Sequence, residues 1–220
     1  MDNKGRRVLF QGDSITDAGR SREGEPPNRA LGNGYVTLIS SRLGYQFAEA
    51  NHQFYNRGLG GNRVSDLYAR WNEDAISLQP DIISILIGVN DAWRIMNKMP
   101  EGVTDRFKRV YRHLLEETKE VLPNADLVLC EPFILPVGAL KENWEEWRRR
   151  LDVYGQTVRL LAEEFDAVFV SLQVPFDQAA QRCDASYWSS DGVHATAAGH
   201  ELIATEWLSA VQISRLALTN

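Results

Sequence analysis

The run Asp81-Ile82-Ile83-Ser84-Ile85-Leu86-Ile87 constrains this chain more than any other segment. It is rich in β-branched residues and nearly continuous in apolarity. That pattern reads as a central strand buried on both faces, and such strands belong to parallel sheets with helices on either side. Elsewhere short apolar runs alternate with amphipathic stretches, as in βαβ units. Strands are expected at Arg7–Gln11, Gln53–Asn56, Asp81–Ile87, Leu127–Cys130 and Ala167–Val170. Helices are expected at Gly34–Leu43, Val64–Ser77, Thr104–Leu122, Asn143–Phe165 and Ala195–Val211, with Pro80 and Pro123 as stops. In Asn143–Phe165 the residues Trp144, Trp147, Leu151, Tyr154, Val158, Leu161 and Phe165 step by three and four, which marks a core-facing stripe. Phe107, Val110, Leu114 and Val121 mark the equivalent face of Thr104–Leu122.

The 220 residues contain no internal repeat, low-complexity tract or linker, so residues 1–220 are expected to form one domain. A formal net charge of −6 argues against nucleic acid or an anionic membrane as partner, since both attract a basic face. The segment Met1–Arg7 lacks the apolar core of a signal peptide, and no stretch nears the ~20 apolar residues of a membrane span. Of the two cysteines, Cys130 lies inside an apolar run, so free thiols are expected rather than a disulfide. The expected compartment is the cytoplasm.

In open parallel sheets ligands collect at the carboxyl ends of the strands. Ser14, Gly61, Asn90 and His194 each fall just after an expected strand or just before an expected helix, so they are expected to share one edge of the sheet. A serine hydroxyl is a weak nucleophile, and an imidazole that takes its proton is the usual remedy. Asp191-Gly192-Val193-His194 offers that imidazole together with a carboxylate to orient it, ideally a buried one. Ser14, Asp191 and His194 are therefore the candidate catalytic residues. Thr16 stands where the second glycine of a G-x-S-x-G elbow would be, so the architecture is not that of an α/β-hydrolase.

The turn Asn56-Arg57-Gly58-Leu59-Gly60-Gly61-Asn62-Arg63-Val64 does not fit a phosphate cradle, because Arg63 occupies the third glycine position and no Walker lysine follows. It fits a Gly61 N–H at the head of a helix, aimed at a developing oxyanion. The Asn90 side chain supplies a neutral donor for the same purpose. Among the four histidines, His52 is expected on a loop, His113 on a solvated helix face, and His200 on the last helix. Asp191, His194 and His200 are poorly spaced for a metal, so neither metal nor cofactor is expected.

Gly12-Asp13-Ser14-Ile15-Thr16-Asp17, Gly61-Asn62, Gly88-Val89-Asn90-Asp91 and Asp191-x-x-His194, in that order, resemble the four sequence blocks of the SGNH hydrolases, also called the GDSL esterase family. The resemblance implies a flavodoxin-like α/β/α sandwich of three layers around a parallel five-stranded sheet. It also implies Ser14 as nucleophile, with the Ser14 N–H, the Gly61 N–H and the Asn90 amide as oxyanion hole. His194 is then the base and Asp191 its orienting acid. The phrases Gly12–Asp17, Ala69-Arg70-Trp71-x-Glu73-Asp74 and Ile87-Gly88-x-Asn90-Asp91-x-Trp93-Arg94 are similar to bacterial intracellular acetylxylan esterases of this family. Ala195 replaces a common proline and Gly60 a frequent serine, and neither change removes a reacting group.

The expected reaction is acyl transfer through an acyl-enzyme, and the expected partner is a small-molecule ester. Asp13, Trp93, Tyr187 and Trp188 are the expected substrate contacts, the three aromatics forming a rim suited to sugar rings. No long apolar segment near the blocks suggests a lipid tunnel, which favours a short acyl group, acetyl above all, on an oligosaccharide. A lipid-type esterase is the alternative, and a non-catalytic carbohydrate-binding protein is a more distant one. The Gly-, Pro- and Arg-rich loop Asp17–Gly32 is open to two readings, a wall of the site or a contact in a homo-oligomer; relatives often self-associate.

Overall fold

A computed structural model describes residues 5–22, 27–96 and 103–213. The leading residues 1–4 and part of the loop after Ser14, residues 23–26, lie outside the described residues. Five strands, β1 (Arg7–Gly12), β2 (Gln53–Asn56), β3 (Ile82–Leu86), β4 (Asp126–Cys130) and β5 (Val168–Val170), pair in the order β2-β1-β3-β4-β5. Every pairing is parallel. This is the flavodoxin-like order, in which the chain reverses direction of growth between β1 and β3 and leaves a crevice there. The expected three-layer α/β/α architecture holds.

The helices are α1 (Ser14–Asp17), α2 (Tyr35–Gln46), α3 (Val64–Ala69), α4 (Trp71–Asp74), α5 (Val89–Met96), α6 (Val103–Val121), α7 (Trp144–Glu164), α8 (Gln173–Arg182), α9 (Ala185–Trp188) and α10 (Ala197–Ile213). Neighbouring residues of a strand point to opposite faces of a sheet. On β1, Phe10 meets Tyr35 of α2 and Trp207 of α10, with ring centroids 5.9 and 5.5 Å away. Gln11 turns the other way and donates to the Asp74 carbonyl of α4 at 2.9 Å. So α2 and α10 cover one face, and α3, α4 and the helices packed on them cover the other.

β3 is buried at all five positions, as its apolar run requires. Its one hydroxyl, Ser84, accepts the Trp207 Nε1–H at 2.9 Å, which satisfies two buried polar groups at once. On the opposite layer the Trp71 Nε1–H donates to Thr118 Oγ1, also at 2.9 Å. At the edge strand β2, Asn28 takes both backbone groups of Phe54: its N–H donates to the Phe54 carbonyl at 3.0 Å, and its Oδ1 accepts the Phe54 N–H at 2.7 Å. This part of the Asp17–Gly32 loop is therefore tied to the sheet. Cys130 is buried, Cys183 is exposed, and the two thiols are unpaired.

Two expectations about helices need correction. Val64–Ser77 is not continuous, because α3 ends at Ala69 and α4 at Asp74, with a 3₁₀ turn over Ile76–Leu78. Val121 is exposed rather than core-facing. A seven-residue step falls about 20° short of two full turns, so two such steps from Phe107 carry position 121 to the border of the stripe. The buried stripe of α6 instead runs through Phe107, Tyr111, Leu114, Leu115 and Thr118.

Candidate active site

Gly12 closes β1 and Asp13 turns the chain into α1, so Ser14 occupies the first helical position. Asp13 caps that helix, its Oδ1 accepting the Ile15 N–H at 2.9 Å. The Ser14 N–H, as a first-turn donor, has no intrahelical acceptor. Across the edge of the sheet, residues 189–195 form a tight loop pinned by an isolated bridge between Ser189 and Ala195. Gly192, at φ +95°, sits where a Cβ would lie 2.5 Å from the Leu135 carbonyl oxygen, so only glycine allows the loop to close so tightly.

Ser14 and His194 are 180 residues apart in sequence, and Ser14 Oγ lies 2.9 Å from His194 Nε2. His194 Nδ1 lies 2.6 Å from Asp191 Oδ2. A carboxylate only accepts, so Nδ1 carries the proton and Nε2 is left to accept from the serine hydroxyl. Partial burial pushes the Asp191 carboxyl up, but the hydrogen bonds from His194 Nδ1–H and from the His194 and Val193 N–H groups outweigh it and bring it below the ordinary range. Asp191 is not the buried acid that the sequence suggests: its side chain is 52% exposed, because it rides on a surface loop and is held by backbone donors.

The glycine-rich turn is accounted for one backbone N–H at a time. Arg57 donates to the Phe10 carbonyl and Leu59 to that of Gly12, fastening the turn to the end of β1. Gly58 donates to Asn56 Oδ1 at 2.9 Å, and Gly60 to Asp17 Oδ2 at 3.3 Å. The Asn62 N–H closes on the Leu59 carbonyl at 3.2 Å. Arg63 donates to Asp66 and Val64 to Asp91. From Arg57 to Val64, the Gly61 N–H is the one donor without an acceptor among the described residues. Gly61 is not at the head of a helix, as its sequence context suggested. It is the third residue of a β-turn at φ +78°, the left-handed region where glycine carries no steric penalty.

Asn90, the second residue of α5, donates one Nδ2 hydrogen to the Asn62 carbonyl at 3.0 Å. Its second hydrogen has no acceptor among the described residues. Asn90 and His194 line one cavity of about 320 Å³, whose apolar wall is Val89, Trp93, Ala139 and Val193. Trp93 is 39% exposed and stacks on Trp147 of α7, centroids 4.7 Å apart at 24°.

The remaining sequence candidates are placed differently. Asp13 is 1% exposed, which leaves it no surface to offer a ligand, and burial pushes its carboxyl up to about 7. Tyr187 and Trp188 lie on α9 and do not line the cavity; Thr196, just after His194, donates to both of their carbonyls. His52 is buried and accepts the Arg6 N–H, while His113 is exposed beside Glu116. His200 is buried next to Tyr35, whose N–H it accepts at 3.2 Å; burial, and secondarily the charge of His194, push it down to about 4. No group of three or more metal-ligating side chains occurs among the described residues.

A family model for GDSL-like lipases and acylhydrolases matches residues 10–202, which takes in every block of the site. The chain belongs to the GDSL-like lipase/acylhydrolase family. It is thereby a carboxylic ester hydrolase. An acetylxylan esterase of Geobacillus stearothermophilus is 37% identical over 93% of each chain. The crystal structure of Axe2, an acetylxylan esterase from that organism, superposes with a TM-score of 0.84 at 36% identity, covering 94% of each chain. A candidate GDSL-like lipase from Parabacteroides merdae superposes with a TM-score of 0.90 at 42% identity over 96% of this chain and 97% of its own.

Within this acylhydrolase, sequence reasoning missed Asp17, Asp91, Ala139 and Trp147. The two acids stand inside the quoted blocks, and their adjacency to Thr16 and Asn90 was the available signal. Ala139 and Trp147 gave none, because they reach the site from a 3₁₀ turn and from the core stripe of α7.

Proposed function

We propose that this protein is a serine esterase that removes short acyl groups, acetyl above all, from xylo-oligosaccharides or related sugars. The observation that carries the catalytic half is the relay Asp191–His194–Ser14, at 2.6 and 2.9 Å. His194 Nε2 takes the Ser14 proton as Oγ attacks the ester carbonyl. The oxyanion is received by the Ser14 N–H, the Gly61 N–H and the second Asn90 hydrogen. His194 then returns the proton to the departing sugar hydroxyl. Water repeats the sequence on the acyl-enzyme and frees the acid.

The substrate half rests on the acetylxylan esterase relatives and on Trp93. One face of its indole is taken by Trp147, and the remaining exposed surface adjoins the cavity, where a sugar ring can stack. The two unpaired thiols fit a reducing compartment, and the cytoplasm is the site of action in this reading.

The test is release of acetate from acetylated xylo-oligosaccharides, chito-oligosaccharides and simple sugars, with Ser14→Ala as control. Release from xylo-oligosaccharides by the wild type alone supports the reading. Preference for C8–C12 over acetyl nitrophenyl esters overturns it in favour of a lipid-type esterase. Failure of a fluorophosphonate to label Ser14 overturns the covalent route altogether.

A further inference from the structure

We propose that Asp91 is a positioning residue for the oxyanion hole, which it serves by fixing the backbone that carries Gly61. The inference rests on the esterase reading and adds to it a role for the neighbour of Asn90.

Asn90 and Asp91 stand side by side on α5 and grip the same stretch of chain twice. Asn90 Nδ2 binds the Asn62 carbonyl at 3.0 Å, and Asp91 Oδ2 accepts the Val64 N–H at 3.1 Å. From the other side Asp17, the last residue of the nucleophile's own helix, accepts the Gly60 N–H. The peptide that presents the Gly61 N–H therefore hangs between two carboxylates, one on α1 and one on α5. The turn between them is closed by the Asn62 N–H on the Leu59 carbonyl and by Asn90 on the Asn62 carbonyl, while the Gly61 N–H itself has no acceptor among the described residues. A donor left free for substrate must be aimed by its neighbours, and small misalignments of such donors cost rate steeply.

Asp91 is buried, at 8% exposure, where a carboxyl is costly unless hydrogen-bonded. Burial pushes it up to about 7 against the pull of Val64 N–H and Arg63, so an amide of the same shape is a close substitute for it near neutrality. A plain helix cap on α3 would account for the Val64 bond alone. It would not account for the partnership with Asn90, which spends its other hydrogen at the site.

The test compares wild type, Asp91→Ala and Asp91→Asn on nitrophenyl acetate. Asp91→Ala is expected to lower kcat by about tenfold or more with KM within about twofold. Asp91→Asn keeps an oxygen for the Val64 N–H and is expected to restore kcat to within about threefold of wild type. Asp91→Leu, which shares the branched shape of aspartate, replaces the alanine variant should that fail to fold. A loss of melting temperature with kcat unchanged overturns the proposal, and so does Asp91→Asn as impaired as Asp91→Ala. Hydrogen exchange of the peptide covering residues 59–64 decides independently of activity. Faster exchange in Asp91→Ala or Asp91→Leu supports the clamp, and unchanged exchange overturns it. A wild type inert towards every ester would count against the esterase reading alone.

Discussion

Asp191 binds His194 twice: Oδ1 accepts the histidine's backbone N–H at 2.8 Å, and Oδ2 accepts its Nδ1–H at 2.6 Å. One carboxylate thus fixes both the loop that carries the imidazole and the tautomer of the ring. Asp191→Asn keeps an acceptor for the backbone but turns an N–H donor towards Nδ1, favouring the wrong tautomer. We expect kcat on nitrophenyl acetate to fall by about 10⁴, with the fold intact by circular dichroism. A loss of less than tenfold would show that the base is oriented by something else.

Removing the Asn90 side chain deletes one donor of the proposed oxyanion hole and also releases the Asn62 carbonyl. Asn90→Ala is expected to lower kcat by about 10²–10³ at little cost in KM. Gly61→Ala acts on the same hole through the backbone. Its Cβ would meet nothing within 4 Å, so crowding is absent and the penalty is the left-handed φ of +78°. That costs about 1–2 kcal/mol, read as a lower urea midpoint, and kcat falls with it as the turn rearranges.

Trp147 does not line the cavity, yet it backs the indole that does. Trp147→Ala removes a stack worth about 1 kcal/mol, which corresponds to about a fivefold change in affinity. KM for an acetylated xylo-oligosaccharide should rise by roughly that factor, while KM for nitrophenyl acetate stays within about twofold. Equal changes on the two substrates would refute a sugar-stacking role for Trp93.

Stability should vary with pH in two opposing ways. Folded Asp13 keeps its proton until about 7 instead of the ordinary 3.8, so its contribution is present at low pH and is lost as pH rises through 7. Folded His200 resists protonation down to about 4 instead of 6.5, so its contribution is present above 6.5 and is lost as pH falls towards 4. Asn is as good a helix cap as Asp. Asp13→Asn should therefore raise the melting temperature by several degrees at pH 8 and little at pH 4. His200→Gln should shrink the loss of melting temperature between pH 6.5 and pH 4.

The sheet was legible because β-branched apolar runs have few other fates: all five strands begin and end within about two residues of expectation. The order of the site blocks was equally plain: Ser14 and Asn90 follow the carboxyl ends of β1 and β3, where a parallel sheet gathers its ligands, and Asp191 and His194 ride on the loop before α10. Other features were hidden for identifiable reasons. α8 carries a weak apolar pattern and Pro175 obscures its first turn, whereas α5 is amphipathic but only eight residues long. The break at Arg70 has no mark in the apolar pattern; there the guanidinium reaches back to Asn62 Oδ1 and forward to Asp74. The half-open setting of Asp191 has no signature in sequence, since a D-x-x-H spacing says nothing about solvent. Tyr187 and Trp188 lie close to Asp191 along the chain, and chain proximity did not place them at the cavity.

Asn28 answers both main-chain groups of Phe54 on the outermost strand. A foreign strand arriving there would find that position already occupied and could not zip onto the barrier in register. Should copies of this protein gather, helical surfaces and loops would have to meet, and the lateral stacking of sheets that leads to fibres would be discouraged at that border.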